Sequence, residues 1–357
     1  MTSTREAPRV VVADDSAFMR RLISDVLTRD GMRVVAEAAN GREAIEACRE
    51  HKPDVLSLDL AMPEVDGIEV LKKLRPMSDL KIVVVSSFSE QGGVRAVDAL
   101  AEGAFELVPK RATGGKLQDF LDDLLSKAQA ATFERPERRT NGNGNGLLTD
   151  LPAKAPSAPR KKLSSRLAHP AGKKLVLIAS STGGPRALTE VVKHFPAELG
   201  QGLVIVQHMP AGFTRSLATR LDSDCPLNIA EAENGEKIDG AHGFVAQGGH
   251  HLRIRRKRLE LSDEAAIGGL RPCADITITD AVQNYGGNIV LAVLTGMGRD
   301  ACKGAKLVKE AGGIVIAEHG DTTTVNGMPR AITEAGLDDA VLPIDEIGTA
   351  LVEAAGE

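Results

Sequence analysis

Arg9-Val10-Val11-Val12-Ala13-Asp14-Asp15-Ser16 reads as a short apolar strand that ends on two carboxylates. A fully apolar run of this length suits a strand in a parallel sheet covered on both faces, and Val83-Val84-Val85, ending at Ser86, has the same character. Around these runs strand and helix alternate. Strands are expected over 9–13, 33–37, 54–58, 81–86 and 105–108, and helices over 17–29, 41–50, 67–75, 92–101 and 116–129. Five βα units predict a five-stranded parallel α/β domain at 8–129. In such a sheet Asp14, Asp15 and Asp59 leave C-terminal strand ends and gather at one edge. Three close carboxylates repel one another unless a cation sits among them, and an all-oxygen set suits Mg²⁺. Asp14, Asp15 and Asp59 are the candidate metal ligands, Asp59 is the candidate phosphoryl acceptor, and Lys110 and Ser86 are candidate partners for phosphoryl oxygens. Ser87 competes with Ser86 for the hydroxyl role. Helix capping is the rival reading of Asp14 and Asp15, but it needs one Asp and leaves Asp59 and Lys110 unexplained.

From 132 the pattern lapses. Asn and Gly alternate over 141–146, followed by Pro152, Pro156, Pro159, the triplet Arg160-Lys161-Lys162, and Pro170. Such a stretch does not offset the entropy of ordering itself, so 130–172 reads as a flexible linker. The 357 residues accordingly predict two domains. The formal charge of −5 is uneven: ten Lys/Arg against three Asp/Glu between 131 and 174 give +7 there and −12 elsewhere. That distribution disfavours a nucleic-acid-binding surface on either folded part, and nine aromatics argue against a base-stacking platform. Cys48, Cys225, Cys273 and Cys302 are far apart with no C-x-x-C pair, so free thiols in a reducing compartment are expected. The N-terminus carries no signal-peptide pattern, and no run approaches the ~20 apolar residues of a membrane span. The expectation is a cytoplasmic protein with no integral membrane segment.

The alternation resumes at 174–179 and predicts a second, larger doubly wound α/β domain at 173–355 with a mostly parallel sheet. Its first strand enters Ser180-Ser181-Thr182-Gly183-Gly184-Pro185, a tight turn into a helix N-terminus. There a hydroxyl and backbone N–H groups converge, which can present a nucleophile, Ser181, and stabilise an oxyanion. The strand at 203–207 delivers His208, either a base for Ser181 or a hydrogen-bonded structural histidine. The strand at 289–294 leads to Thr295-Gly296-Met297-Gly298-Arg299-Asp300. Asp300 either orients His208, completing a Ser, His, Asp set in that chain order, or caps the next helix. His250 and His251 read as polar loop residues at a cleft rim, and with His208 and His319 they lack metal-ligand spacing.

Two resemblances bear on these motifs. VVADDS at 11–16, LDLAMPEVDG at 58–67, VVVSS at 83–87 and VPK at 108–110 resemble the receiver domain of bacterial two-component response regulators. This implies that Asp59 accepts a phosphoryl group from a partner histidine kinase and that Ser86 shifts toward it. Leu107 stands where many receivers have an aromatic, and Arg111 where proline is usual. ASSTGGP at 179–185, VQHMP at 206–210, LTGMGRD at 294–300 and GMPRA at 327–331 resemble the catalytic domain of chemotaxis protein-glutamate methylesterases. That resemblance implies Ser181 as nucleophile, His208 as base, Asp300 as its partner, and Thr182 and Met297 lining the site, Met297 through its backbone N–H.

The implied substrate is a γ-glutamyl methyl ester on methyl-accepting chemoreceptors, hydrolysed to methanol without a cofactor, with receptor glutamines deamidated in some members. The resemblance also implies a receiver that covers the cleft until phosphorylated, on a protein recruited to membrane receptor arrays. Three departures stand out. Ala301 occupies a usual glycine position and is expected to open a helix, Cys273 replaces serine in a P-S-V-D-like segment, and 317–321 reads A-E-H-G-D where A-Q-D-E is common. Cys273 has no assigned base and is not read as a nucleophile. The competing function is a receiver-controlled regulator whose second domain only binds a protein or ligand, with 181–184 as an anion-binding turn; a DNA-binding output is weaker still.

Overall fold

A computed structural model describes residues 6–77, 79–87, 89–110, 117–133 and 172–356. Arg111 and most of the expected linker lie outside the described residues. The N-terminal part runs β1 (Arg9–Ala13), α1 (Ala17–Arg29), β2 (Arg33–Ala38), α2 (Gly41–His51), β3 (Val55–Asp59), α3 (Gly67–Leu74), β4 (Lys81–Ser86), α4 (Glu90–Ala101), β5 (Glu106–Pro109) and α5 (Leu117–Phe133). Its five strands pair in parallel in the order β2-β1-β3-β4-β5. The inner strands β1, β3 and β4 are buried almost throughout, whereas the edge strand β2 is mostly half-exposed. Polar side chains start the helices: Ser16, Asn40, Asp66 and Ser89 each accept a first-turn N–H. Helix α5 continues to Phe133, past the expected end at 129, because Leu124, Ala128, Ala130 and Ala131 keep an apolar face on the sheet.

The C-terminal part runs β6 (Leu175–Ser180), α6 (Gly184–Val192), β7 (Leu203–Gln207), α7 (Thr214–Asp224), β8 (Asn228–Glu231), β9 (His242–Val245), β10 (His251–Arg255) and β11 (Arg258–Ser262). It continues with α8 (Ala274–Tyr285), β12 (Ile289–Val293), α9 (Cys302–Glu310), β13 (Ile314–Glu318), α10 (Met328–Glu334), β14 (Ala340–Leu342) and α11 (Ile344–Ala355). Seven strands in the order β14-β13-β12-β6-β7-β9-β8 form a sheet in which every pairing is parallel. The antiparallel strand pair is β10 and β11, which pair apart from that sheet. The edge strands β8 and β14 and the short helix α10 have no counterpart in the sequence reading, since four, three and seven residues carry little periodicity.

The two parts meet through α4, which packs against α6 and α7. Val97 and Leu100 share one apolar core with Leu188, Phe213 and Leu217. Beside that core, Arg220 Nη1 lies 2.8 Å from Asp98 Oδ1. Gly93 lets the helices approach: a Cβ there would stand 3.0 Å from Ser216 Oγ and 3.3 Å from the Gly212 carbonyl.

Candidate functional sites at two sheet edges

The first site lies at the C-terminal ends of β1, β3, β4 and β5. Asp14 and Asp59 are buried and Asp15 is exposed, and ligand atoms from all three lie within 4.8 Å of one another. Among the described residues they form the one cluster of His, Cys, Asp or Glu able to hold a metal ion. Lys110 Nζ reaches both buried carboxylates, 2.7 Å from Asp59 Oδ2 and 2.9 Å from Asp14 Oδ2. Burial raises the Asp14 carboxyl above its ordinary range, an effect reinforced by Asp59 and opposed by Lys110. Burial also works against the Lys110 ammonium, but Asp59 and Asp14 outweigh it and hold the amine's proton more firmly than usual. An oxygen-only set with this excess of negative charge fits a hard divalent cation such as Mg²⁺. The buried Ser86 hydroxyl donates to the Gly92 carbonyl of α4 at 3.0 Å. The sequence-predicted switch residue is therefore tied to the helix that faces the second domain. Leu107 is buried on β5.

The second site lies where strand order reverses. Chain connection runs from β6 toward β7 on one side and returns to β12 on the other, so a crevice opens at the β6 exit. Ser181 follows β6, with its N–H donated to the Thr295 carbonyl at 3.0 Å. His208 follows β7, and its N–H donates to the Ser180 carbonyl at 3.0 Å. The His208 Nε2 atom lies 2.7 Å from Asp300 Oδ2, with both side chains largely buried. Burial works against the Asp300 carboxylate, yet His208 and backbone N–H groups hold it well below the usual carboxylate range. Those donors are Ala274 N at 2.6 Å, Asp275 N at 2.9 Å and Ala301 N at 2.9 Å. Asp300 thus also serves the first turn of α8 across the chain, besides pairing with His208.

The turn itself is held by residues the sequence reading left without a role. Gln207, 2% exposed, accepts from Ser180 Oγ at 2.6 Å and donates to the carbonyls of Ser181 and His208. It clamps the two strand exits together, and a Cβ on Gly184 would stand 1.9 Å from its Oε1. Behind the turn, Glu318 accepts from Thr295 N at 2.8 Å and Thr322 Oγ1 at 3.0 Å. Burial pushes its carboxyl up to about 7 against those two donors. Gln207 and Glu318 were visible only as polar residues closing apolar strands.

Thr182 is buried, and its hydroxyl donates at 2.7 Å to Glu106 Oε2 on β5 of the first domain. Met297 is exposed, in a loop fixed by Gly327 N and Met328 N donating to the Gly296 carbonyl. Ala301 departs from expectation: it does not begin a helix but precedes α9 at φ +71°, the left-handed region that favours glycine. Helix α8 starts at Ala274, with Cys273 at its N-cap. His250 pairs with Asp263 and His251 is buried against the Ala265 carbonyl. All four cysteines are free thiols. Among the described residues no helix is long and apolar enough to cross a membrane.

Comparison with known proteins agrees with both halves. Residues 10–122 match the response regulator receiver domain and residues 176–351 match the CheB methylesterase family. A protein-glutamate methylesterase/protein-glutamine glutaminase of Archaeoglobus fulgidus is 38% identical over 96% of this chain and 97% of its own length. One of the same name from Thermotoga maritima is 37% identical over 97% of this chain and 98% of its own length. The crystal structure of the Thermotoga maritima CheB methylesterase catalytic domain is 41% identical, with a TM-score of 0.49, and covers 51% of this chain and 98% of that one. A receiver joined to a methylesterase domain, matched end to end by these relatives, places the chain in the protein-glutamate methylesterase/protein-glutamine glutaminase family.

Proposed function

We propose that this chain hydrolyses glutamate γ-methyl esters on chemoreceptors, with Ser181 as nucleophile, His208 as general base and acid and Asp300 as its partner, under control of phosphorylation at Asp59. The observation that carries the reading is the buried His208–Asp300 pair at 2.7 Å beside the β6 exit. Ser181 Oγ attacks the ester carbonyl carbon while His208 takes the hydroxyl proton. The tetrahedral adduct expels the methoxy group, which receives that proton from His208 and leaves as methanol. Water, deprotonated by His208, then attacks the acyl-enzyme and releases the glutamate carboxylate and free Ser181. We assign the start of α6 and the Met297 backbone N–H to the developing oxyanion and Thr182 to the cleft wall. The same route with ammonia as leaving group would deamidate a receptor glutamine; the relatives' names give protein-glutamine glutaminase for those proteins.

In the receiver, Asp14, Asp15 and Asp59 would hold Mg²⁺, which when bound offsets the charge of an incoming phosphoryl group. Asp59 accepts that group from a histidine kinase, and Lys110 and Ser86 bind its oxygens. Movement of Ser86 toward Asp59 breaks its bond to Gly92 and so bears directly on α4. Glu106 on Thr182 and α4 against α6 and α7 support a receiver that closes the cleft before phosphorylation. The domains proposed are the receiver at 8–129 and the esterase at 173–355, in a cytoplasmic protein recruited to receptor arrays.

The test is methanol release from methylated receptor, with and without a small phosphoryl donor and Mg²⁺, for wild type, Asp59→Asn and Ser181→Ala. Release should rise with donor only where Asp59 is intact and vanish without Ser181. Unchanged release in Ser181→Ala removes the nucleophile assignment, and donor stimulation persisting in Asp59→Asn removes the switch assignment.

A further inference from the structure

We infer that Cys273 is a positioning residue of the ester-hydrolysing site, its thiol donating to Asp300 and fixing the face that this carboxylate turns to His208. The inference rests on the triad reading above and goes beyond it.

Cys273 occupies the N-cap position of α8 but makes no side-chain cap bond. Its sulfur lies 3.2 Å from Asp300 Oδ1 instead, and the residue is 3% exposed. The first-turn N–H groups of Ala274 and Asp275 are served by Asp300 from 26 and 25 residues away. The carboxylate therefore has two unlike oxygens. Oδ1 receives Cys273 Sγ, Asp275 N and Ala301 N, while Oδ2 receives Ala274 N and His208 Nε2. Four of the five donors are backbone N–H groups or the His208 ring itself. The thiol is the one whose strength a side-chain substitution can change without altering the carboxylate or the imidazole.

A thiol is a weak donor to neutral groups, but an ionised acceptor strengthens the bond. Burial, with the Asp300 charge beside it, pushes the Cys273 thiol up to about 12, so it remains a protonated donor across the neutral range. Besides His208, the ionisable groups around this pair are Asp275, which accepts from Gly304 N, and Lys303 near Asp275. Neither Asp275 nor Lys303 replaces the lost donor, because Asp275 repels Asp300 and Lys303 acts on Asp275. Removing the thiol leaves more of the Asp300 charge directed at the imidazole, so its loss should register in the pH dependence of catalysis.

The test uses the full chain with phosphoryl donor and Mg²⁺, comparing wild type, Cys273→Ala and Cys273→Ser. In Cys273→Ala the acid limb of the kcat/KM profile should move up by about half a pH unit, with kcat down roughly three- to ten-fold and KM within about two-fold. Cys273→Ser, which keeps a donor, should return both to near wild type. An acid limb that does not move in Cys273→Ala, or that moves equally in Cys273→Ser, overturns the inference. Low-field proton NMR of the His208–Asp300 hydrogen in a Ser181→Ala background gives a readout that needs no turnover. That resonance should shift in Cys273→Ala and return in Cys273→Ser, and a resonance identical in all three overturns the inference even if the esterase reading itself fails. Should Cys273→Ala not fold, Asp300→Asn supplies the remaining arm. Alkylation of Cys273 at pH 9, located by mass spectrometry, should be faster in Asp300→Asn than in wild type, and equal rates overturn the inference.

Discussion

Glu318 shows how one buried side chain links site geometry to the stability of the whole fold. It is 1% exposed, holds Thr295 N and Thr322 Oγ1, and its carboxyl rises from the ordinary 4.5 to about 7. The unfolded chain ionises this group near 4.5 while the folded chain resists until about 7, so the folded state binds more protons between those values. Its contribution to stability is therefore undiminished below about pH 4.5, falls as pH rises toward 7, and is constant above. Glu318→Gln keeps an acceptor for Thr295 N and removes the ionisation. The variant should lie within about 1 kcal/mol of wild type at pH 5 and exceed it at pH 8 by up to about 3 kcal/mol, an order-of-magnitude figure at 1.36 kcal/mol per unit. Urea midpoints at the two pH values measure this. An equal difference at pH 5 and pH 8 would show that ionisation of Glu318 is not the cause.

At the scale of elements, the strand-to-helix turns separate what was legible in the sequence from what was not. Apolar runs bounded by Asp14, Ser181 and His208 announced their strands, because a buried parallel strand needs an unbroken apolar stretch and its polar exit residue stands out. The turn from β12 into α9 did not announce itself, since Ala301 has high helix propensity and yet sits at φ +71° and fully buried. Asp300 Oδ1 takes the Ala301 N–H in this conformation, and a one-residue propensity carries no sign of such a contact. Gln207 and Glu318 escaped for a related reason: each binds the exit of a neighbouring strand, Ser180 of β6 and Thr295 after β12, and only the assembled sheet brings those together.

Magnitudes at Ala301 decide what substitution does. Glycine relieves about 1–2 kcal/mol of left-handed strain, loses roughly 0.8 kcal/mol of methyl burial and adds about 0.4–1 kcal/mol of unfolded-state entropy. Ala301→Gly should thus change stability by less than about 0.8 kcal/mol in either direction, whereas Ala301→Val, branched at a left-handed buried position, should cost at least about 2 kcal/mol. Chemical denaturation of both variants checks the pair, and a strongly stabilising glycine would mean that strain outweighs the other two terms.

Across the whole molecule the contact on which the proposed regulation turns is α4 on α6 and α7, because it joins the receiver to the methylesterase domain. Ser86 is bonded to Gly92 within α4, Gly93 meets α7, and Asp98 pairs with Arg220. One helix therefore carries the switch hydroxyl's partner at its start and the domain contact along its length. The proposed closure is tight at Gly93, where a Cβ would stand 3.0 Å from Ser216 Oγ and 3.3 Å from the Gly212 carbonyl, so a long side chain has no room there. In Gly93→Arg the receiver keeps its helix, arginine being a better helix former than glycine, but α4 cannot seat on α7. Basal methanol release without donor should rise by at least about five-fold, the lower end of a domain-coupling free energy of ~1–3 kcal/mol, and donor should add little further. Arg220→Ala should raise basal release less, because the Arg220–Asp98 pair is only partly buried and such pairs contribute ~1 kcal/mol or less. Methanol release for the three proteins, with and without donor, ranks these effects. A folded Gly93→Arg protein with wild-type basal release and full donor stimulation would mean that α4 does not hold the cleft closed, and that Glu106 on Thr182 carries the restraint instead.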